Sequence, residues 1–264
     1  MLTRGDALVR EHFDSNTDVY VDRYQDAYKV ICQERIAILE GVMGKAAEDF
    51  ALLDVGCGAG IFIDMLLSKY EKAQAWGMDS SLGMLKKNGF ISRKSLILGD
   101  ARELPFRPKS FDLINVDTVM HHLVDFRGYQ NTLDAIERFL LSLQELLKPE
   151  GVLIVHEIYH ESWLRDSLGT RMVYELSTLR LPPIAANLLK RVGLTTANAG
   201  VCFLTRRQWG DAFLQANYET LAVTDKPWVG HRLRKIGFPH NGDLYYTLRS
   251  RESGTPRHEV GSGS

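Results

Sequence analysis

Strand-like and helix-like segments alternate from residue 51 to residue 157, and this alternation limits the folds open to the chain. The five apolar, strand-like segments read ALLDV, AQAWGMD, SLILGD, FDLINVD and GVLIVHE. Helical periodicity between them is clearest over residues 130–147, where leucine and isoleucine recur at three- and four-residue spacing. Such alternation predicts an α/β fold with a doubly wound, parallel sheet.

The flanks extend this core to a single predicted domain over residues 1–252. Tyrosine, isoleucine and valine at helical spacing predict an amphipathic helix over residues 18–43, within an N-terminal helical segment 1–48. Thr205 and Gln208 form a capping-box pattern that opens a helix through Gln215. The segments YETLAVTD and DLYYTLRS are the last two strands, and residues 253–264 are predicted to be disordered.

Residues 158–204 show no clear strand pattern and are predicted to form a helical insertion, with prolines at 182–183 separating two helices. The insertion carries apolar residues and five basic ones: Arg165, Arg171, Arg180, Lys190 and Arg191. A connection of this length in a compact domain is more often functional than idle, so we expect a lid. A basic, apolar lid suits a hydrophobic ligand with a carboxylate or phosphate, although an ordinary helical layer gives the same pattern.

Composition and charge restrict the class of protein further. The sequence has 45% hydrophobic and 25% charged residues and a net charge of −1, which argues against general nucleic-acid binding. The charge is unevenly distributed, since the net charge is −7 over residues 1–161 and +6 over residues 162–264. Apolar runs long enough to span a membrane and a secretory signal are both missing from the sequence, and the three cysteines form no zinc or disulfide pattern. We therefore expect a cytoplasmic protein.

A glycine-rich turn follows the first strand in the stretch DVGCGAG. Gly56, Gly58 and Gly60 can take positive φ and let a ligand approach the main chain. The dinucleotide pattern G-x-G-x-x-G would need a third glycine where the sequence has Ile61. The loop therefore predicts a nucleotide-like ligand other than NAD.

Acidic residues stand at or just after four strand ends: Asp54, Asp79, Asp100 and Asp117. Ligands of open parallel sheets bind outside the carboxyl ends of the strands, so these acids would face the ligand. Four carboxylates beside a glycine loop suit a ligand with several hydrogen-bond donors and some positive charge. S-adenosylmethionine, with a ribose diol, an adenine amine, an ammonium and a sulfonium, meets that requirement.

The ordered motifs DVGCGAG, GMDSS, LILGDARELPF, FDLINVDTVMHHL and LKPEGVLIVHE resemble the class I S-adenosylmethionine-dependent methyltransferases, in particular the group that acts on small molecules. The resemblance is strong over residues 50–157. It implies a Rossmann-like, seven-stranded, mostly parallel sheet whose last strand is antiparallel. It also implies methyl transfer to a small-molecule acceptor, with O- or N-methylation favoured and natural-product biosynthesis as one setting.

The same resemblance assigns cofactor contacts to these motifs. Gly56, Gly58 and Gly60 would line the methionine portion, with Cys57 between them and Asp54 orienting the loop. Asp79, with Ser80 beside it, would accept from the ribose hydroxyls. The adenine amine would meet Asp100 and Ala101, and the ammonium would meet the main chain near Val116 and Asp117.

Catalysis is assigned to a general base that removes a proton from the acceptor. His121 lies four residues after Asp117 and resembles the histidine found at this place in many small-molecule methyltransferases. In phosphobase methyltransferases an N-terminal tyrosine assists it, a part that Tyr20 or Tyr24 could play here. His156 and Glu157 are reserve candidates, and His122 is expected to pack.

Two other functions remain as alternatives. The stretch HEIYH at residues 156–160 satisfies the zinc metallopeptidase pattern, which requires both histidines on one helical face. It follows a β-branched strand-like run, so a strand is expected and no metal site is assigned. The second alternative keeps the fold but catalyses a non-methylating reaction, such as a cyclisation, or binds a partner protein.

Overall fold

A computed structural model describes residues 4–43, 49–161, 166–179, 182, 200–228 and 241–251. Within these ranges the strands are β1 (Ala51–Val55), β2 (Gln74–Asp79), β3 (Lys94–Leu98), β4 (Phe111–Asp117), β5 (Leu147–His160), β6 (Tyr218–Pro227) and β7 (Asn241–Ser250). The helices are α1 (Arg4–Met43), α2 (Ile61–Lys69), α3 (Leu82–Leu85), α4 (Tyr129–Leu146), α5 (Asp166–Thr178) and α6 (Arg206–Gln215). A short 3₁₀ turn covers Met120–His122.

The strands of the described residues form one seven-stranded sheet in the order β3-β2-β1-β4-β5-β7-β6. Strands β1 to β5 pair in parallel, whereas β7 runs antiparallel to both β5 and β6. The predicted Rossmann-like sheet with an antiparallel last strand is therefore confirmed. Because β1 to β5 are parallel, their carboxyl ends meet at one edge, where ligands of such sheets bind.

Two apolar layers cover the faces of the sheet. On one face, α4 buries Ile136, Phe139, Leu140 and Leu143, and α6 adds Trp209 and Phe213. On the other face, α1 and α2 bury a cluster that includes Leu39, Phe62 and Leu66. The helix α4 ends because Leu147 already has extended backbone, two residues before Pro149.

Most sequence-predicted elements are confirmed, with two differences. The capping box of α6 forms as predicted between Thr205 and Gln208. The N-terminal helix is longer than predicted and begins at Arg4. The predicted insertion starts too early, because residues 158–160 continue β5. There β7 supplies a hydrogen-bonding partner beyond the end of β4.

Part of the predicted insertion and tail falls outside the described residues. The helix α5 lies where the first insertion helix was expected, whereas the second helical piece, beyond the prolines at 182–183, is not in the described ranges. The same is true of residues 253–264. In the part of the chain that is described, no helix combines the length and apolar character needed to cross a membrane.

Candidate active site

The glycine loop connects β1 to α2 at the carboxyl edge of the sheet. Gly56, Gly58 and Gly60 have φ values of 76°, 52° and 74°, in the left-handed region that favours glycine. A Cβ added at Gly56 would lie 2.3 Å from a methyl group of Val119. The loop is fixed to β2, since the amides of Gly56 and Cys57 both donate to the carbonyl of Met78 at 2.7 and 3.1 Å. The three glycines therefore have the left-handed backbone conformation that the sequence predicted.

Asp79 binds this loop from the end of β2. One carboxylate oxygen accepts from the amide of Gly58 and the other from the amide of Ser81, each at 2.8 Å. Burial raises the pKa of Asp79, although the two amide donors oppose that effect. An ionised carboxylate has about four lone-pair positions, so two amide contacts leave room for further donors.

Asp54 and Asp117 belong to a buried polar network that includes two residues the sequence analysis missed, Asn115 and Arg35. Asn115 donates to Asp54 at 2.5 Å, and the Arg35 guanidinium binds both Asn115 and Asp117. Burial raises the pKa of Asp54 to about 7. Arg35 reaches this site from α1 and lies 5.0 Å over the ring of Phe62. Arg35 falls on the same helical stripe as Tyr28, Ile31 and Ile38, and a charge on an apolar stripe is the sequence signal that could have revealed it.

Asp117 has two further hydrogen-bond partners besides Arg35. The Tyr28 hydroxyl donates to its carboxylate at 2.6 Å, and His156 Nδ1 donates to the other oxygen at 2.7 Å. Burial alone would raise the pKa of Asp117, but Arg35 and His156 outweigh it and hold that pKa well below its usual range. Asp117 is thus an ionised carboxylate whose oxygens are occupied by cationic and hydroxyl donors.

His156 is a poor candidate for the catalytic base, contrary to its place among the reserve candidates. Its Nε2 lies 3.1 Å from Asp243, so both ring nitrogens face carboxylates, and the ring stacks on Tyr245 at 4.3 Å. Burial lowers the pKa of His156, but Asp117 and Asp243 together raise it to about 9. Near neutral pH this histidine is already protonated and has no lone pair to accept a proton.

His121 and Glu157 form a second buried pair. His121 Nδ1 lies 2.8 Å from Glu157 Oε2, while the amide of Met120 donates to Glu157 Oε1 at 2.6 Å. The 3₁₀ turn after β4 brings His121 to Glu157, which is fully buried on β5. Within the described residues Nε2 of His121 makes no hydrogen bond, and the ring's hydrogen bond is the one from Nδ1 to Glu157. Glu157 therefore orients His121 rather than acting beside it as an independent base.

The HEIYH motif lies on β5, as expected, and does not form a metallopeptidase site. His156 binds two carboxylates, and the ring of His160 stacks on Phe203 at 4.3 Å. Glu157 binds His121 instead of a metal-bound water. In the described part of the chain, no group of three or more potential ligands is arranged to hold a metal ion.

The remaining predicted cofactor residues lie at the same edge of the sheet. Asp100 follows β3 and accepts from the amide of Arg102 at 2.9 Å. Ala101 packs partly buried against the core, and Val116 is fully buried in β4. Cys57 is buried inside the loop, where burial raises the pKa of its thiol. Ser80 is half-buried beside Asp79.

The N-terminal half of α1 crosses this edge of the sheet. Asp14 accepts from the hydroxyl of Ser81 at 2.5 Å and from the amide of Gly83 at 3.0 Å. Phe13 makes an edge contact with His122, with ring centroids 5.7 Å apart. The backbone of Tyr20 and Tyr24 lies in α1, but their side chains are outside the described part of the structure. One helix therefore contacts both the Asp79 side and the His121 side of the site.

This fold and site define a class: an α/β protein with a nucleotide-type glycine loop and a histidine–carboxylate pair at one sheet edge. Residues 53–155 match the family model described as a methyltransferase domain. This central part of the chain, from β1 to β5, is therefore similar to a methyltransferase domain.

Known proteins resemble the chain over limited regions. It is 33% identical over 106 residues to a malonyl-[acyl-carrier protein] O-methyltransferase of Legionella pneumophila, covering 39% of this chain and 37% of that protein. Matches to relatives of the same name extend over about half of their length or less.

Two solved structures share the fold. One is phosphoethanolamine N-methyltransferase 2 of Haemonchus contortus in complex with phosphomonomethylethanolamine and S-adenosylhomocysteine. It has a TM-score of 0.63 at 12% identity and covers 95% of this chain and 61% of that one. The other is the [4+2]-cyclase SpnF, with a TM-score of 0.55 at 16% identity over 82% of this chain and 80% of that one.

Proposed function

We propose that this protein binds S-adenosylmethionine and catalyses transfer of its methyl group to a hydroxyl or amine of a small-molecule acceptor. The observation that carries the proposal is the buried His121–Glu157 pair at the sheet edge that also presents the glycine loop and Asp79. A nucleotide cradle alone would fit many ligands. Because an oriented imidazole lies at the same sheet edge as this cradle, the site favours a reaction in which the acceptor loses a proton.

The chain's own residues fit the cofactor. The left-handed glycines give main-chain access that a side chain would block, and Asp79 keeps lone pairs free for two ribose hydroxyls. Asp100 with Ala101 would hold the adenine amine. The main chain of Val116 and Asp117 would hold the ammonium. Bound S-adenosylmethionine supplies an electrophilic methyl group on a sulfonium.

His121 would accept the acceptor's proton. A carboxylate at Nδ1 favours the tautomer with the proton on Nδ1, so the lone pair lies on Nε2. Glu157 also stabilises the imidazolium that forms, as a buried carboxylate does in other histidine-based sites. His121 is held on its other side by Phe203, whose ring stacks on it at 4.9 Å. The imidazole is thus fixed before an acceptor arrives, which is the main requirement for positioning.

Carboxylate O-methylation is a second candidate, favoured by the names of the malonyl-[acyl-carrier protein] relatives. A carboxylate is already ionised at neutral pH, so it would not require a base. The two candidates therefore differ in their dependence on His121. Loss of this imidazole would reduce turnover of a hydroxyl or amine acceptor by about 10²–10⁴-fold. It would leave turnover of a carboxylate acceptor nearly unchanged.

The insertion was predicted to form a lid whose basic residues bind an anionic group of the acceptor. Arg171 on α5 is exposed and pairs with Glu175 at 3.5 Å, so it does not point to an anion site. The other four basic residues of the insertion lie outside the residues whose side chains are described. The lid and the anionic group of the acceptor therefore stay predictions.

The test is release of S-adenosylhomocysteine from S-adenosylmethionine with a panel of small phenols, amines and carboxylic acids. The proposal expects product with a phenol or amine, lost in single-turnover assays of His121→Ala but kept in His122→Ala. Cofactor affinity of both variants should stay within about threefold of wild type, since neither side chain is placed in the cofactor cradle. Consumption of an acceptor without S-adenosylhomocysteine would instead support the non-methylating alternative.

A further inference from the structure

Asn241 begins β7 at the same edge of the sheet as the candidate active site. Its side chain is 3% exposed, yet neither Nδ2 nor Oδ1 has a hydrogen-bond partner among the described residues. The backbone is fixed, because Asn241 pairs with His160 in the sheet and its carbonyl accepts from Trp228 at 2.8 Å. Buried amides are nearly always hydrogen-bonded, so a fixed, buried and unpaired amide indicates a missing partner.

The position of Asn241 relates it to His121. Residues directly opposite in antiparallel strands share a face, so the Asn241 side chain lies on the same face as His160. The His160 ring stacks on Phe203 at 4.3 Å with an interplanar angle of 15°. Phe203 in turn stacks on His121. A row of flat rings therefore leads from His121 toward the unpaired amide.

The charges on this face indicate what kind of group the amide would meet. Asp243 lies two residues along β7 on the same face and pairs with His156, while Arg35 pairs with Asp117. The cations described on this face are therefore already matched to carboxylates. A neutral ligand group suits this surface better than a carboxylate or phosphate.

We propose that Asn241 recognises a planar, neutral carboxamide or lactam group of the acceptor, held beside the ring of His160. Asn241 Nδ2 would donate to the ligand carbonyl and Oδ1 would accept from the ligand N–H, which satisfies both unpaired atoms at once. Asn241 would thus bind the end of the acceptor that lies farthest from His121. This inference rests on the proposed function, in that it treats the row of rings as the acceptor site.

Benzamide is a suitable probe, and the side-chain NH₂ signals of Asn241 report on it directly. Those signals would be identified in spectra of ¹⁵N-labelled protein with S-adenosylhomocysteine by their loss in Asn241→Leu. Benzamide should shift them at millimolar concentration. The affinity should fall about tenfold in Asn241→Leu or when N,N-dimethylbenzamide, which lacks the N–H donors, replaces benzamide.

Matched controls separate the outcomes. Asn131→Leu on α4 should bind benzamide as wild type does. Unmoved Asn241 signals, equal affinity of benzamide for Asn241→Leu, or tighter binding of benzoate than of benzamide would each overturn the proposal. Calorimetry with S-adenosylhomocysteine on the same samples tests the proposed function separately. Cofactor binding without a benzamide response would refute the carboxamide site alone.

Discussion

Replacement of His156 by glutamine should remove a pH-dependent part of the stability. His156 is buried between Asp117 and Asp243, and these carboxylates raise its pKa from 6.5 to about 9. A raised histidine pKa means that protonation stabilises the folded state. That stabilisation is complete below pH 6.5 and is lost as the pH rises through 9. At about 1.4 kcal/mol per pKa unit, the shift corresponds to roughly 3 kcal/mol.

The assay is urea unfolding of wild type and His156→Gln at several pH values between 6.5 and 9. We expect the free energy of unfolding of wild type to fall by up to about 3 kcal/mol across this range relative to the variant. Subtraction of the two curves removes contributions common to both proteins, including Asp54, whose pKa is raised to about 7. His122→Gln is the control for loss of an imidazole and should keep the wild-type dependence. Parallel curves for wild type and His156→Gln would refute the buried imidazolium.

Three further predictions concern α1 and the insertion. Arg35→Met should destabilise the protein by about 3–5 kcal/mol in chemical unfolding, because Asp117 would lose one of its two buried cations and Asn115 would lose its guanidinium donor; a loss below 1 kcal/mol would contradict that ion pair. Asp14→Ala should accelerate release of S-adenosylhomocysteine about tenfold in stopped-flow measurements, whereas Asp18→Ala, which removes an exposed ion pair, should not. If S-adenosylhomocysteine left both variants at the same rate, the contacts of Asp14 with Ser81 and Gly83 would not control its release. Limited proteolysis within residues 161–204 should slow when cofactor and acceptor are both bound, and unchanged cleavage would contradict a lid.

The central fold was predictable because its signals are local. Each strand of the parallel sheet is an apolar run. The three glycines of the loop by themselves indicate a backbone with positive φ. The capping box at Thr205 likewise needs only four residues. The end of β5 was misplaced because its last three residues pair with β7, which is about 80 residues away in sequence.

The site was harder to predict than the fold because its network joins distant segments. Arg35 on α1 meets Asp117 on β4, and Asp243 on β7 meets His156 on β5. Helical spacing places Arg35 on the apolar stripe of α1, but no spacing in the sequence identifies its partner or that of His156. The roles of His156 and Glu157 show the same limit: they are neighbours on one strand, but one binds two carboxylates and the other binds His121.

Calorimetry with S-adenosylmethionine, S-adenosylhomocysteine and NAD tests the central claim most directly, since it requires no acceptor. We predict binding of the first two ligands and no heat from NAD. Asp79→Ala should weaken binding by roughly 1.5–3 kcal/mol, about 10- to 150-fold, because ribose hydroxyls would lose a charged acceptor. Tight NAD binding with no heat from S-adenosylmethionine, or unchanged affinity in Asp79→Ala, would contradict the account.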